Sequence, residues 1–323
     1  MAAAALIAAG LVALVVGGEL LLRGGSQVAR RVGIPPIVIG QTVVSIGTSA
    51  PELAVGIEAA VHDVGELAVG NIAGTNTVNL LLILGLSALL RPLALSARAL
   101  RLDLPMMALA ALALLALAAD GTLTRLDGVA LLAVAVLYTV AVVRAGRRER
   151  AAIHETYERE GRPDPSRHPV LAAILEVAAL VAGIVVVLVG ADWLVDGAVD
   201  LARQLGVSGA VIGLTIVAIG TSAPELVTTI ISTVRDRRDI AIGNLIGSGV
   251  YNVALILGVT TLVAPGGLHV PAPLVRADLP VMTAAVLACM PVFLSRRRAS
   301  RLEGGLFVLA YAAYLGYLIL VRT

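Results

Sequence analysis

The stretch that decides the fold is GTSAPEL, which occurs at residues 47–53 and again at residues 220–226. Each copy lies inside a long apolar run and carries one glutamate, Glu52 or Glu225. Over the sixteen residues around each copy, 11 of 16 positions are identical without a gap. An acidic side chain at the centre of a membrane helix costs about 2.5–3.5 kcal/mol to insert and marks a functional site by default. The two copies therefore predict one site assembled from two glutamates.

The same spacing of 173 residues relates a second pair of segments. VGNIAGTNTVNLLLILG at 69–85 matches IGNLIGSGVYNVALILG at 242–258, with 8 of 17 positions identical. Apolar bias alone would pair Leu with Val, but it would not align Gly, Asn and Thr or Ser without gaps. The chain is therefore an internal duplication.

Composition places this duplication in a membrane. Hydrophobic residues make up 59% of the 323 residues, charged residues make up 14%, and the mean hydropathy is +0.96. Soluble domains carry about 25% charged residues. A single cysteine, Cys289, excludes an intrachain disulfide or a thiolate metal cluster. Residues 1–18 are apolar without a basic start, so we expect a first membrane helix there and not a signal peptide.

We predict an all-α integral membrane protein of ten transmembrane helices arranged as two inverted five-helix repeats. The first repeat covers residues 1–143 and the second covers residues 170–323, with a cytoplasmic linker at 144–169. An odd number of helices in each repeat means that the second copy enters the membrane from the opposite side. The predicted helices are 2–23, 36–61, 66–90, 103–120, 126–144, 170–196, 209–234, 239–264, 278–295 and 303–321.

Arginine placement predicts the orientation. The chain has no lysine, and 20 of its 24 arginines fall on the side opposite the N-terminus. Because positive charge collects on the cytoplasmic side, we expect both termini outside a cell inner (plasma) membrane and the linker in the cytoplasm.

Two aspartates begin matched segments elsewhere in the repeats. Asp103 lies in LDLP and Asp278 lies in ADLP, at the predicted starts of helices 4 and 9. Aspartate is a preferred N-cap residue, so we expect each carboxylate to cap its helix.

The GTSAPEL motif suits a cation because it interrupts a helix. Proline removes a backbone donor, and glycine relaxes the backbone. Such an interruption is tolerated in a membrane only inside the protein or beside water. We therefore expect helices 2 and 7 to be discontinuous, with freed carbonyl groups beside Glu52 and Glu225. Calcium takes six to eight oxygen ligands, which two bidentate carboxylates and carbonyl groups begin to supply.

Helices 3 and 8 add polar groups at one spacing. Thr75 and Asn79 are four residues apart and share a helix face, and Ser248 and Asn252 repeat that spacing. Hydrogen bonding between helices would also explain such residues.

Together, the twin GTSAPEL segments and the G-N-x-x-G-[ST]-x-x-x-N segments resemble the sodium/calcium exchanger family, of the prokaryotic type within the cation/Ca²⁺ exchanger superfamily. The resemblance covers all ten predicted helices and implies alternating access, with Glu52 and Glu225 as ligands shared by Ca²⁺ and Na⁺. It further implies hydroxyl, carbonyl or amide ligands from Thr48, Ser49, Thr221, Ser222, Thr75, Ser248, Asn79, Asn252, Ser45 and Ala218.

One departure leaves the coupling ion open. Many relatives carry an aspartate at one of the two central positions, where this chain has Asn79 and Asn252. We expect a Na⁺/Ca²⁺ antiporter, with a Ca²⁺/H⁺ antiporter on the same scaffold as the alternative and a cation channel as a third reading. The sequence contains no nucleophile with a histidine base, no phosphate loop and no zinc spacing, so we do not expect an enzyme. The expected partners are Ca²⁺, Na⁺ or H⁺ and the lipid bilayer, with no cofactor and no nucleic acid.

Overall fold

The computed structural model describes residues 2–94, 98–148, 169–205, 218–296 and 298–322, and these residues are mostly helical. In the first repeat the α-helices are α1 Ala2–Val32, α2 Pro36–Ile39, α3 Ser45–Thr48, α4 Ala50–Val61, α5 Gly65–Thr77, α6 Leu84–Leu90, α7 Leu104–Leu117 and α8 Arg125–Arg148. In the second they are α9 Pro169–Gln204, α10 Ala218–Thr221, α11 Ala223–Val234, α12 Arg238–Tyr251, α13 Leu257–Val263, α14 Leu279–Arg296 and α15 Arg301–Arg322.

Within the described residues, five π-helical segments either connect two of these α-helices or lie directly before one of them. They are π1 Gly40–Val44, π2 Val78–Ile83, π3 Ala99–Asp103, π4 Asn252–Ile256 and π5 Leu274–Asp278. Single π turns inside helices are rare and are frequent at functional sites. Here π2 and π4 fall at matching places in the two repeats, and so do π3 and π5.

Eight helical stretches of the described residues are long and apolar enough to cross a membrane, which makes this a multi-span membrane protein. At the predicted second and seventh positions the apolar helices are shorter, Pro36–Thr48 and Ala223–Val234. The start of the predicted seventh helix, at residues 209–217, lies outside the described residues.

The first helix is longer than predicted. It continues to Val32, nine residues beyond the expected end at residue 23. Arg23 stays helical because its guanidinium reaches the Glu19 carboxylate one turn earlier, at 2.8 Å. An arginine with a partner four residues away is compatible with a helix surface, so its charge did not mark a loop.

Helices α1 and α9 pack antiparallel along a glycine seam. Gly10, Gly17 and Gly24 recur every seventh residue of α1, and Gly183, Gly190 and Gly197 do the same on α9. Each lies against the backbone of the other helix, so that a Cβ added at Gly17 would come within 2.7 Å of the Val187 nitrogen. Small residues let membrane helices approach this closely.

Short antiparallel strand pairs tie the repeats together. Strand β1, Leu93–Ala94, pairs with β4, Arg298–Ala299, and β2, Thr122–Leu123, pairs with β3, Leu268–His269. In each pair, one strand follows the third predicted helix of one repeat. The other strand lies just before the last helix of the other repeat. The turns after α4 and α11 also match, because Asp63 and Asp236 both adopt positive φ, at 57° and 61°.

The capping prediction for Asp103 is wrong. Asp103 is fully buried and makes no side-chain hydrogen bond that caps α7. Its carboxylate instead accepts a hydrogen bond from the Gln41 side chain at 2.5 Å, and Arg98 donates to the same Gln41 at 3.0 Å. Its counterpart Asp278 accepts a hydrogen bond from the Tyr314 hydroxyl at 2.7 Å. Interior partners on other helices therefore outcompete the helix end.

Candidate cation-binding site

The two motif glutamates occupy matching positions at helix starts. Glu52 lies in the first turn of α4 and Glu225 in the first turn of α11, and each follows the proline of the motif. Both side chains are 0% exposed. The residues before these helices, Ser49 and Ser222, leave the helical conformation with ψ of 13° and 7°. A helix N-terminus carries partial positive charge, so it stabilises a carboxylate there.

The two repeats meet at these carboxylates. The Ser49 hydroxyl of the first repeat donates to Oε1 of Glu225 at 3.3 Å, and Glu52 and Glu225 are close enough to interact electrostatically. Both oxygens of Glu52 and Oε2 of Glu225 are buried and accept no hydrogen bond from the described residues. An unpaired buried charge is strongly destabilising, so these three oxygen atoms are available for a cation.

The helices that follow bring neutral oxygens to the same place. Thr75 lies beside Glu52, and Asn79 lies in π2, which contacts α11 of the other repeat. In the same way Asn252 begins π4, which contacts α4. The cross-repeat arrangement therefore places each asparagine segment against the helix that carries the opposite glutamate.

Several further polar atoms around the glutamates are buried without a hydrogen-bond partner among the described residues. Native proteins pair nearly all buried polar groups, so a cluster of exceptions needs an explanation. These atoms are the side-chain oxygens of Ser222, Ser248 and Asn252 and both amide atoms of Asn79. These four residues were predicted from the sequence, whereas Thr228 and Ser232 on α11, whose hydroxyls are also buried without a partner among the described residues, were not.

Other residues predicted to be ligands are already engaged in the protein. The Thr48 hydroxyl lies 3.4 Å from both the Ser45 carbonyl and the Asn244 side-chain oxygen. The Ser45 carbonyl also accepts the Ser49 amide at 3.1 Å. Thr221 has a partner as well, and Ala218 begins α10.

Asn244 and Asn71 are site neighbours that the sequence reasoning did not select. The Ser45 hydroxyl donates to the Asn244 carbonyl at 3.0 Å, and the Asn244 amide donates to Thr229 at 3.5 Å. Asn71 stands 173 residues earlier, and its amide nitrogen is buried without a partner among the described residues. The duplicated Gly-Asn pair carried the signal for both.

Asn76 was also missed, and no repeat signal could have found it because its counterpart is Gly249. Its amide donates to the Gly249 carbonyl at 3.1 Å, and its oxygen accepts the Asn252 amide at 3.0 Å. The Asn252 amide nitrogen is therefore occupied, and the Asn252 oxygen stays free of hydrogen bonds from the described residues. Asn76 thus orients Asn252 as an acceptor.

The described residues contain no group of three or more His, Cys, Asp or Glu side chains placed to hold a metal ion.

A family model described as sodium/calcium exchanger protein matches residues 2–144 and 175–320. The chain belongs to the sodium/calcium exchanger family. It is 40% identical to inner membrane protein YrbG of Escherichia coli over 82% of this chain and 81% of that protein. It is 36% identical to the putative antiporter CaxA of Alkalimonas amylolytica over 94% of this chain and 95% of that one.

Solved structures of a family member have the same fold. A structure of the sodium-calcium exchanger NCX_Mj, soaked with 10 mM Na⁺ and no Ca²⁺, superposes with a TM-score of 0.82 at 27% identity. The superposition covers 98% of this chain and 99% of that one. Sodium/calcium exchanger MaX1 of Methanosarcina acetivorans is 29% identical over 95% of each chain.

The Asn76 contacts generate a prediction about stability. Asn76→Ala leaves the Asn252 amide and the Gly249 carbonyl unpaired, and should lower the free energy of unfolding by about 1–3 kcal/mol. Asn79→Ala is the matched control, because it removes the same volume three residues further along the chain but breaks no hydrogen bond to the described residues. Thermal melts of ion-free protein in detergent measure both variants. Equal losses in the two would contradict an orienting role for Asn76.

Proposed function

We propose that this protein is a secondary active antiporter that exchanges Ca²⁺ for Na⁺ by alternating access. The observation that carries the proposal is the pair of buried carboxylates, Glu52 and Glu225, with three oxygens that accept no hydrogen bond from the described residues. Family membership supports cation exchange, and the relatives MaX1 and NCX_Mj are named as sodium/calcium exchangers.

We assign the ligands by position. Glu52 and Glu225 are the charged ligands shared by both ions, with the hydroxyls of Ser49, Ser222, Thr75 and Ser248 and the carbonyl or amide oxygens beside them. Two carboxylates match the charge of one Ca²⁺, and neutral oxygens complete a shell of six to eight. Thr48, Thr221, Ser45, Ala218, Asn79 and Asn252 complete the proposed set.

Charge explains why exchange should be obligatory. With both glutamates ionised and no cation bound, the site carries two negative charges in a medium of low dielectric constant. Moving that charge between the two sides of the membrane is unfavourable, and Ca²⁺ or Na⁺ removes the penalty. We therefore expect the cation-free binding site to remain open to one side of the membrane until an ion binds.

The neutral oxygens favour Na⁺ over H⁺ as the coupling ion. A proton would need only a carboxylate, whereas Na⁺ must replace its hydration shell with oxygen ligands. Ser248 and Asn252 present side-chain oxygens that accept no hydrogen bond from the described residues, which suits Na⁺.

We also propose the finer architecture: ten membrane helices in two inverted repeats, residues 1–143 and 170–323, with helices 2 and 7 discontinuous at Ser49 and Ser222. The linker at 144–169 is cytoplasmic and both termini lie outside an inner membrane. The cross-repeat strand pairs and the arginine bias support this arrangement.

Cysteine labelling tests the inversion. Glu66 and Asp239 are exposed, begin α5 and α12, and are related by the 173-residue spacing. In a Cys289→Ala background, Glu66→Cys should react with a membrane-impermeant maleimide in intact cells, and Asp239→Cys only after permeabilisation. Reaction of both from the same side would contradict inverted repeats.

Opposed ion gradients test the coupling ion. In proteoliposomes loaded with Na⁺, an outward Na⁺ gradient should drive Ca²⁺ uptake at constant pH, and a pH gradient without Na⁺ should not. Uptake driven by the pH gradient alone would identify the Ca²⁺/H⁺ alternative. Ca²⁺ flux that needs no counter-ion, together with unitary conductance in a planar bilayer, would indicate a channel.

Charge removal tests the ligands. Glu52→Gln and Glu225→Gln should each abolish Ca²⁺ uptake, because one carboxylate cannot neutralise a divalent ion. Glu58→Gln is the matched control, since Glu58 is exposed on the same helix α4 and should leave uptake unchanged. Uptake retained in either test variant would refute the two-glutamate site.

A further inference from the structure

A basic pocket lies at one end of the membrane region, away from the glutamate pair. Its volume is about 280 Å³, and it lies between the second half of α1 and the turn that joins α11 to α12. Four arginine side chains line it, namely Arg23 and Arg30 from α1 and Arg235 and Arg237 from the turn. No motif used for the transport proposal includes these residues.

The pocket has an excess of positive charge. Among the described residues that line it, Glu19 is the only acidic one, and its carboxylate pairs with Arg23 at 2.8 Å and with Arg235 at 3.1 Å. Arg30 and Arg237 form no salt bridge with the described residues. Four guanidinium groups against one carboxylate leave a formal charge of +3. Arginine forks match the geometry of phosphate oxygens, so the ligand chemistry that fits is a phosphate.

The neighbouring residue Arg31, in contrast, is fully paired with a carboxylate. Arg31, next to Arg30, makes a two-pronged contact with Glu176 of α9 at 2.5 and 2.7 Å. Arg30 also acts on the charge of Glu176 at longer range. Because the Glu176 carboxylate is already engaged by Arg31, the Arg30 guanidinium remains available to bind an added anion.

The position of the pocket selects the source of the phosphate. Helix α1 spans the membrane to Val32, and Arg235 and Arg237 lie in the turn between two membrane-embedded segments. The pocket therefore lies at the level where lipid headgroups meet the protein. Basic pockets between membrane helices on the cytoplasmic side bind acidic headgroups, and the topology that we propose assigns 20 of 24 arginines to this side.

We propose that this pocket binds the phosphate of an anionic phospholipid. The bound headgroup bridges α1 to the end of α11, the helix that begins beside Glu225. Occupancy therefore fixes α1 relative to one of the two site helices. The effect on transport rests on the proposed function, whereas the binding itself does not.

Native mass spectrometry of delipidated protein in detergent tests the binding without any ion gradient. We expect phosphatidylglycerol to be retained and phosphatidylcholine to be lost. Arg30→Gln with Arg237→Gln should weaken phosphatidylglycerol binding by about tenfold or more, since each arginine near a membrane surface contributes to binding of acidic lipid. Arg147→Gln with Arg298→Gln is the control, because both are exposed arginines on the same side and should leave binding unchanged.

Three outcomes would overturn the proposal. Equal loss of phosphatidylglycerol in the test and control variants would mean that the lipid is attracted to positive charge in general and not to this pocket. Inorganic phosphate that competes as strongly as phosphatidylglycerol would make the ligand a free anion. If the double variant fails to fold, the single Arg237→Gln at the exposed turn decides, and unchanged lipid retention there refutes the pocket. If the protein retains phosphatidylglycerol but shows no Ca²⁺ exchange, the result would count against the proposed function and not against the lipid pocket.

Discussion

The burial of two carboxylates inside a membrane protein is the constraint on which the rest of the structure depends. Glu52 and Glu225 are fully enclosed, and only one of their four oxygens accepts a side-chain hydrogen bond from the described residues. Ionised and unpaired, such groups would destabilise the fold by several kcal/mol each. The helix starts at both glutamates and the surrounding hydroxyls reduce that penalty without removing it. In the function that we propose, the remaining penalty is the driving force for binding a cation.

Symmetry makes this arrangement possible with a short motif. One helix start supplies one carboxylate and one nearby hydroxyl, which is too little for a cation shell. Two copies that face each other double the number of carboxylates and hydroxyls, and the Ser49 contact with Glu225 shows that the first copy also contributes a hydrogen bond to the carboxylate of the second. The π segments that contain Asn79 and Asn252 also contact the glutamate helix of the opposite repeat. The glycine seam between α1 and α9 repeats the symmetry at the edge of the fold.

Features that are local or duplicated could be predicted from the sequence. The membrane class followed from composition, the paired glutamates from the repeated motif, and eight helices from their apolar length. Three features could not be predicted in this way. Arg23 extended a helix because its partner lay one turn away, Asp103 found Gln41 on a distant segment, and Asn76 has no counterpart in the second repeat. The Asp103 and Asn76 contacts join distant parts of the chain, so spacing does not encode them. The Glu19–Arg23 spacing was present in the sequence, but it did not by itself show that the helix continues past Arg23.

Asn76 shows how symmetry is broken where function needs a difference. Asn79 and Asn252 are equivalent in the sequence, yet only Asn252 has its amide nitrogen held, at 3.0 Å from Asn76. That contact leaves the Asn252 oxygen free to act as the cation ligand that we propose, while Asn79 keeps both amide atoms free of hydrogen bonds from the described residues and can rotate to present its oxygen. A neutral amide oriented in this way offers an oxygen where an aspartate would add charge. With both glutamates ionised, the site that we propose holds two negative charges, which is enough to neutralise one Ca²⁺, and the neutral ligands would adjust its fit without changing that balance.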